Sequence, residues 1–188
     1  MRDVNPEKTL QELAQEAIAF IKKLAINPRA ELAHLPEWSV KQVLIVQLGM
    51  SLVSGLITGF LPPTFWKILQ GIILFPLLAS IMGALLAAFF YYFFQIFEGK
   101  LVSFPKLLTL VYFANFPFFL FHIASSIFPV SDIAGLAFTA ALLMIGLSEN
   151  FALERKRSIR LVGSIFSLLF LLWLIEKVLT YRQTHSLD

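Results

Sequence analysis

Five stretches of this chain each run for 15 or more residues without a charged side chain: Val43–Leu61, Ile68–Phe97, Leu107–Val130, Ile133–Ser148 and Leu161–Ile175. No other feature limits its fold as strongly. A helix that crosses roughly 30 Å of hydrocarbon needs about 20 apolar residues at 1.5 Å each. The first three stretches meet that length directly. The last two meet it once Glu149, Asn150 and Arg160 lie at the interface, with the Arg160 stem reaching outward. The composition agrees: 58% of the 188 residues are hydrophobic and 14% charged, far from a soluble domain. The expected fold is all-α, a polytopic membrane bundle with spans at about 40–61, 66–97, 106–128, 131–150 and 159–178. A short tail, 179–188, follows.

Residues 1–37 form a different kind of region, with six acids, five bases and no long apolar run. They lack the apolar stretch of about 7–15 residues that a cleaved signal peptide requires. Leu10, Leu13, Ala14, Ala17, Ile18, Ile21 and Leu24 recur at three- and four-residue spacing, which predicts an amphipathic helix. Asn5-Pro6 supplies one start signal, Thr9-Leu-Gln-Glu12 is a capping-box candidate, and Asn27-Pro28 ends the helix. Its apolar stripe suits a membrane surface, a partner, or the protein's own bundle.

Charge placement orients the chain. With five spans and the N-terminus inside, the cytoplasmic parts hold Arg2, Lys8, Lys22, Lys23, Arg29, Lys41, Lys100, Lys106, Arg155, Lys156, Arg157 and Arg160. Lys67, Lys177 and Arg182 fall on the other side. Twelve against three predicts a cytoplasmic N-terminus and an external C-terminus.

The polar residues within spans are few. Asn115 and His122 stand two turns apart in the third span and share a face, with Ser126 one turn further on. They could relay protons or bind a ligand; alternatively, they hydrogen-bond neighbouring helices, or a nearby polar group satisfies the Phe113 carbonyl that Pro117 leaves open. Gly55-Leu-Ile-Thr-Gly59 and the stripe Ala79, Gly83, Ala87 are candidate helix-packing sites, within one molecule or between copies. Ile68–Phe97 would be about 45 Å as one straight helix, so tilt or a bend at Pro76 is expected. Its final aromatic run, including Tyr91 and Tyr92, suits an interfacial belt.

Arg155, Lys156, Arg157 and Arg160 form the densest charge cluster and are candidate contacts for anionic lipid headgroups. Glu149 and Asn150 could cap or pair with it. The sequence holds no GxSxG, HExxH or Walker loop, and its three His stand apart with no second ligand at metal spacing. No enzyme, cofactor, metal or nucleic-acid role is expected. The expected partners are membrane lipids, other membrane proteins or a second copy of the chain.

The order of features resembles the Ypt-interacting-protein (Yip) domain family of five-span membrane proteins. The resemblance is carried by Asn27-Pro28, by Ser103-Phe104-Pro105-Lys106-Leu107-Leu108 leading into Val111-Tyr112-Phe113-Ala114-Asn115-Phe116-Pro117, and by Gly146-Leu147-Ser148 before a basic loop and a last span. It covers roughly residues 25 to 178. It implies a cytoplasmic N-terminus, five spans and no catalytic activity. Eukaryotic members are implicated in vesicle traffic and in contact with small prenylated GTPases. This chain lacks their long N-terminal extension and Tyr-Gly-Pro-type motif, and looks like the compact bacterial members of an inner membrane. The expected function is therefore non-enzymatic membrane organisation or trafficking through helix–helix and cytoplasmic-face contacts. The alternative is a small-molecule or lipid carrier or channel with Asn115 and His122 lining its path.

Overall fold

A computed structural model describes residues 8–61, 63–128 and 130–185. Apart from one backbone bridge between Phe60 and Pro63, the regular structure among these residues is helical. Helix α1 (Leu10–Ile26) begins at a complete capping box. The Glu12 amide donates to Thr9 Oγ1, and the Thr9 amide donates to the Glu12 carboxylate. Those bonds hold the Glu12 carboxyl below its ordinary range. The Asn5-Pro6 start lies outside the described residues. Asn27 then serves two helices. Its amide closes α1 on the Lys23 carbonyl, and its side chain caps α2 (Pro28–Ala33) at the Ala30 amide.

Five helical units are long and apolar enough to cross a membrane. The first is α3 (Val40–Gly59). The second runs without a gap through α4 (Phe65–Leu69), a π-helical turn at Gln70–Leu74 and α5 (Phe75–Phe97). The third is α6 (Phe104–Ala114) followed by α7 (Phe116–Ser125), the fourth α8 (Ser131–Glu149) and the fifth α9 (Arg155–His185). Two prolines explain the irregular places. Pro76 has no N–H to offer the turn before it, and the Phe75 amide instead reaches back five residues to the Gln70 carbonyl. Pro117 cannot donate to Phe113, and the third unit is interrupted at Asn115.

The bundle is organised around α6, whose residues Leu107 to Ala114 are all buried. It is surrounded by α1, α3, α5 and α8. Phe113 takes Phe20 of α1 at 4.6 Å and Trp38 at 5.4 Å between ring centroids. Tyr112 lies over Gly83 of α5 and donates its hydroxyl to the Ser80 carbonyl at 2.9 Å. A Cβ on Gly83 would occupy the space of that ring, and one on Gly146 of α8 would occupy the space of Leu110.

Beyond Val43 and Val46, which are buried, helix α3 presents mostly small and polar residues inward and large apolar ones outward. Gln47, Ser51, Ser54, Gly55 and Gly59 are buried, whereas Leu48, Leu52, Val53 and Ile57 are exposed. In water this pattern would be inverted. In lipid it is the favourable arrangement, because the surrounding chains are as apolar as leucine and only close backbone approach adds attraction. Gly55 illustrates this: its Cα meets the backbone of Gly71 in the π-helical turn so closely that no Cβ fits on either residue.

Helix α9 departs from the expected span in two ways. It starts at Arg155, four residues before the expected 159, and it runs to His185 through most of the expected tail. The early start follows from Ser158, buried in the first turn, whose hydroxyl donates to the Met144 carbonyl of α8. The basic cluster therefore lies on helix, not loop.

Candidate functional site

The alternation of five units brings the polar connections of the chain to one end. Ten bases and five acids lie there between Lys22 and Arg160, leaving aside Lys67 and Asp132 at the opposite end. Besides the Arg157–Glu98 pair, four long-range links tie this basic end together. Arg29 of α2 donates to Glu149 at 2.6 Å, and the Asn150 amide donates to the Ala33 carbonyl at 2.9 Å. Lys106, in the first turn of α6, stands 3.6 Å from Glu37. Lys100 donates to the Ala152 carbonyl at 2.8 Å.

That last bond joins two loops of the same design. After α5, Gly99 takes a positive φ of 60° and the Lys100 amide reaches back to the Phe94 carbonyl. After α8, Ala152 takes a φ of 50° and the Leu153 amide reaches back to the Leu147 carbonyl. The left-handed residue costs nothing at Gly99 and roughly 1–2 kcal/mol at Ala152, where a Cβ is present.

The basic cluster divides within this frame. Arg157 donates to Glu98 at 2.7 Å and stands 3.6 Å from Glu154, so it clasps α9 to the loop after α5. Arg155, Lys156 and Arg160 are exposed and have no carboxylate partner among the described residues. The expectation that Glu149 and Asn150 serve this cluster is corrected: both are taken by α2, because the end of α8 abuts that short helix. The apolar stripe of α1 is partly occupied: Leu13, Ala17 and Leu24, together with Phe20, are buried in the core of its own bundle, whereas Leu10, Ala14 and Ile18 are exposed.

The intramembrane polar residues lie elsewhere. Asn115 and His122 both stand beside Phe75 and Leu78, but they open into separate concavities. His122 Nδ1 is 3.1 Å from Asp132 Oδ1, a carboxylate at the start of α8 that the sequence spacing did not single out. Ser126 has a buried hydroxyl without a partner among the described residues. Among the small residues, Gly59 lies against the backbone of Lys67 and Ile68, Gly83 against Tyr112, and Ala87 is fully buried, while Ala79 lines the Asn115 concavity. Sequence reading missed Gly71, the partner of Gly55, and Tyr112. The one available signal was an isolated Gly shortly before Pro76. Among the described residues, no three His, Asp or Glu side chains gather as metal ligands would.

The family model of the Yip1 domain matches residues 22–175, from the last turns of α1 through the fifth span. No curated protein and no solved structure matches the chain.

Proposed function

Because the chain belongs to the Yip1 domain family of membrane proteins, we propose that it is a non-enzymatic scaffold whose basic end faces the cytoplasm. There it holds anionic lipid headgroups and organises neighbouring membrane proteins in membrane traffic or membrane architecture, in the manner of the compact members of a bacterial inner membrane. The observation that carries this reading is the division of the basic cluster. Arg157 is spent on Glu98, whereas Arg155, Lys156 and Arg160 project from the first two turns of α9 with no carboxylate partner among the described residues. Each base near an anionic surface contributes about 1 kcal/mol of attraction. The excess of ten bases over five acids at that end supports the cytoplasmic placement. A carrier built on Asn115 and His122 is less well supported, since they open into two concavities instead of lining one path.

Two measurements test the proposal. Changing Arg155, Lys156 and Arg160 together to Gln should weaken binding of anionic lipid by about 3 kcal/mol, an effect that shrinks at high salt. Arg157→Gln should instead lower the melting temperature and leave lipid binding nearly intact. A loss per charge from Arg157→Gln as large as that from the triple variant, about 1 kcal/mol, would show that the cluster acts only by its summed charge. Orientation is read separately: a reporter inserted near Lys156 is expected in the cytoplasm and one fused after Leu187 outside it. Both reporters on one side would overturn the orientation.

A further inference from the structure

At the end opposite the basic loops, a concavity of about 510 Å³ opens between α3, the π-helical turn and α7. Its polar groups come from separate elements. Lys67 and Gln70 belong to the second unit, His122 to α7, and Ser126 to the turn that caps α7. Lys67 is exposed and has no carboxylate partner among the described residues. His122 is held in place on three sides: its ring stacks on Phe75 at 4.5 Å with 8° between planes and on Phe118 at 5.7 Å, and Asp132 takes Nδ1. A carboxylate on Nδ1 favours a proton there and leaves Nε2 as the remaining polar atom of the ring. Ser126 adds a buried hydroxyl that no partner satisfies among the described residues, and such groups ordinarily have one. Thr58 and Ser125 also line it, but their hydroxyls donate to the Ser54 and His122 carbonyls, and Leu61, Leu74 and Leu78 supply apolar wall.

The depth of the concavity narrows the choice of occupant. Phe65 and Trp66, immediately before Lys67, are 74% and 69% exposed, as aromatic side chains are where hydrocarbon meets headgroups. A cavity at that boundary, with a cation and hydrogen-bonding groups beside leucines, suits an amphiphile. The π-helical turn that forms one wall is a feature concentrated at functional sites. We infer that this concavity binds the phosphate group of a phospholipid from the external leaflet, with Lys67 and Ser126 on the phosphate and an acyl chain along Leu61, Leu74 and Leu78. Asp132 does not oppose the anion directly, since its charge is directed to His122. The site is separate from the basic end, and its placement in the external leaflet rests on the orientation proposed for that end.

The experiment uses full-length protein carrying Gln at Arg155, Lys156 and Arg160, so that lipid held at the basic end does not mask the second site. Delipidated protein is titrated with phosphatidylglycerol and, in parallel, with inorganic phosphate, and bound molecules are counted by native mass spectrometry. Lys67→Gln should weaken phosphatidylglycerol binding about fivefold without moving the melting temperature, because the side chain is exposed. Ser126→Leu, which removes the hydroxyl and puts an apolar side chain in its place, should abolish it. Undiminished lipid binding in Lys67→Gln, or in a folded Ser126→Leu protein, would overturn the inference. Inorganic phosphate that displaces the lipid fully and stabilises the protein equally would overturn the lipid as occupant and leave a free-anion site.

Discussion

The third and fifth spans are both hydrophobic enough to insert, with mean hydropathy 1.7 and 2.1, yet half of the third is buried inside the protein and only 11% of the fifth. The less hydrophobic span is the more deeply enclosed. A soluble protein would show the reverse, because there burial is what removes apolar surface from water. Within a bilayer both the protein interior and the lipid are dry, so hydropathy governs insertion and says nothing about which helix becomes central. What makes α6 central is shape. Tyr112 finds Gly83, Leu110 finds Gly146, and Phe113 receives Phe20 and Trp38. Helix α9 meets the bundle chiefly through Ser158 and Val162 near its start, and Leu168, Leu171 and Leu172 face outward.

This contrast is testable with matched substitutions. Leu110→Ala removes a fully buried side chain seated on Gly146 and should cost about 2–5 kcal/mol, read as earlier melting in detergent. Tyr112→Phe removes only the hydroxyl bond to the Ser80 carbonyl and should cost about 0.6 kcal/mol, the average for hydrogen bonds between spans. Leu171→Ala should change the melting temperature least, by the equivalent of about 0.5 kcal/mol or less, since the side chain is 53% exposed. A cost for Leu171→Ala as large as that of Leu110→Ala would break the comparison. It would mean that α9 is covered in the native assembly by a second copy or another protein.

Some of the site was legible in the sequence and some was not, for identifiable reasons. The basic residues at 155–160 stand out because four of six positions are charged, and charge in a membrane protein is sorted to the surface by its hydration. Their separation into a clasp and three exposed bases was not legible. Arg157 is distinguished from Arg155 by Glu98, a residue 59 positions away brought near by the return of α5. The His122–Asp132 pair was hidden for a similar reason: the two residues lie on different helices, and a ten-residue separation matches no helical or metal-ligand spacing. Gly55 was visible through its GxxxG pattern, but Gly71 was not, because a glycine's partner across a helix interface leaves no periodic trace in its own segment.

From the sequence alone came the five spans, the capped amphipathic helix at Thr9–Glu12, and the concentration of bases in alternate connections. These follow from short-range physics: insertion depends on the apolar length of each segment, and capping on residues three apart. Tertiary structure alone decided that Leu13, Ala17 and Leu24 of α1 close on its own bundle while Leu10 and Ile18 stay exposed, that α6 is the centre, that the described residues of α9 beyond Val162 are largely uncovered, and that Lys67 and Ser126 line one cavity. Those outcomes depend on which helix surfaces can approach within van der Waals contact. That is a property of pairs of surfaces, and no single segment encodes it.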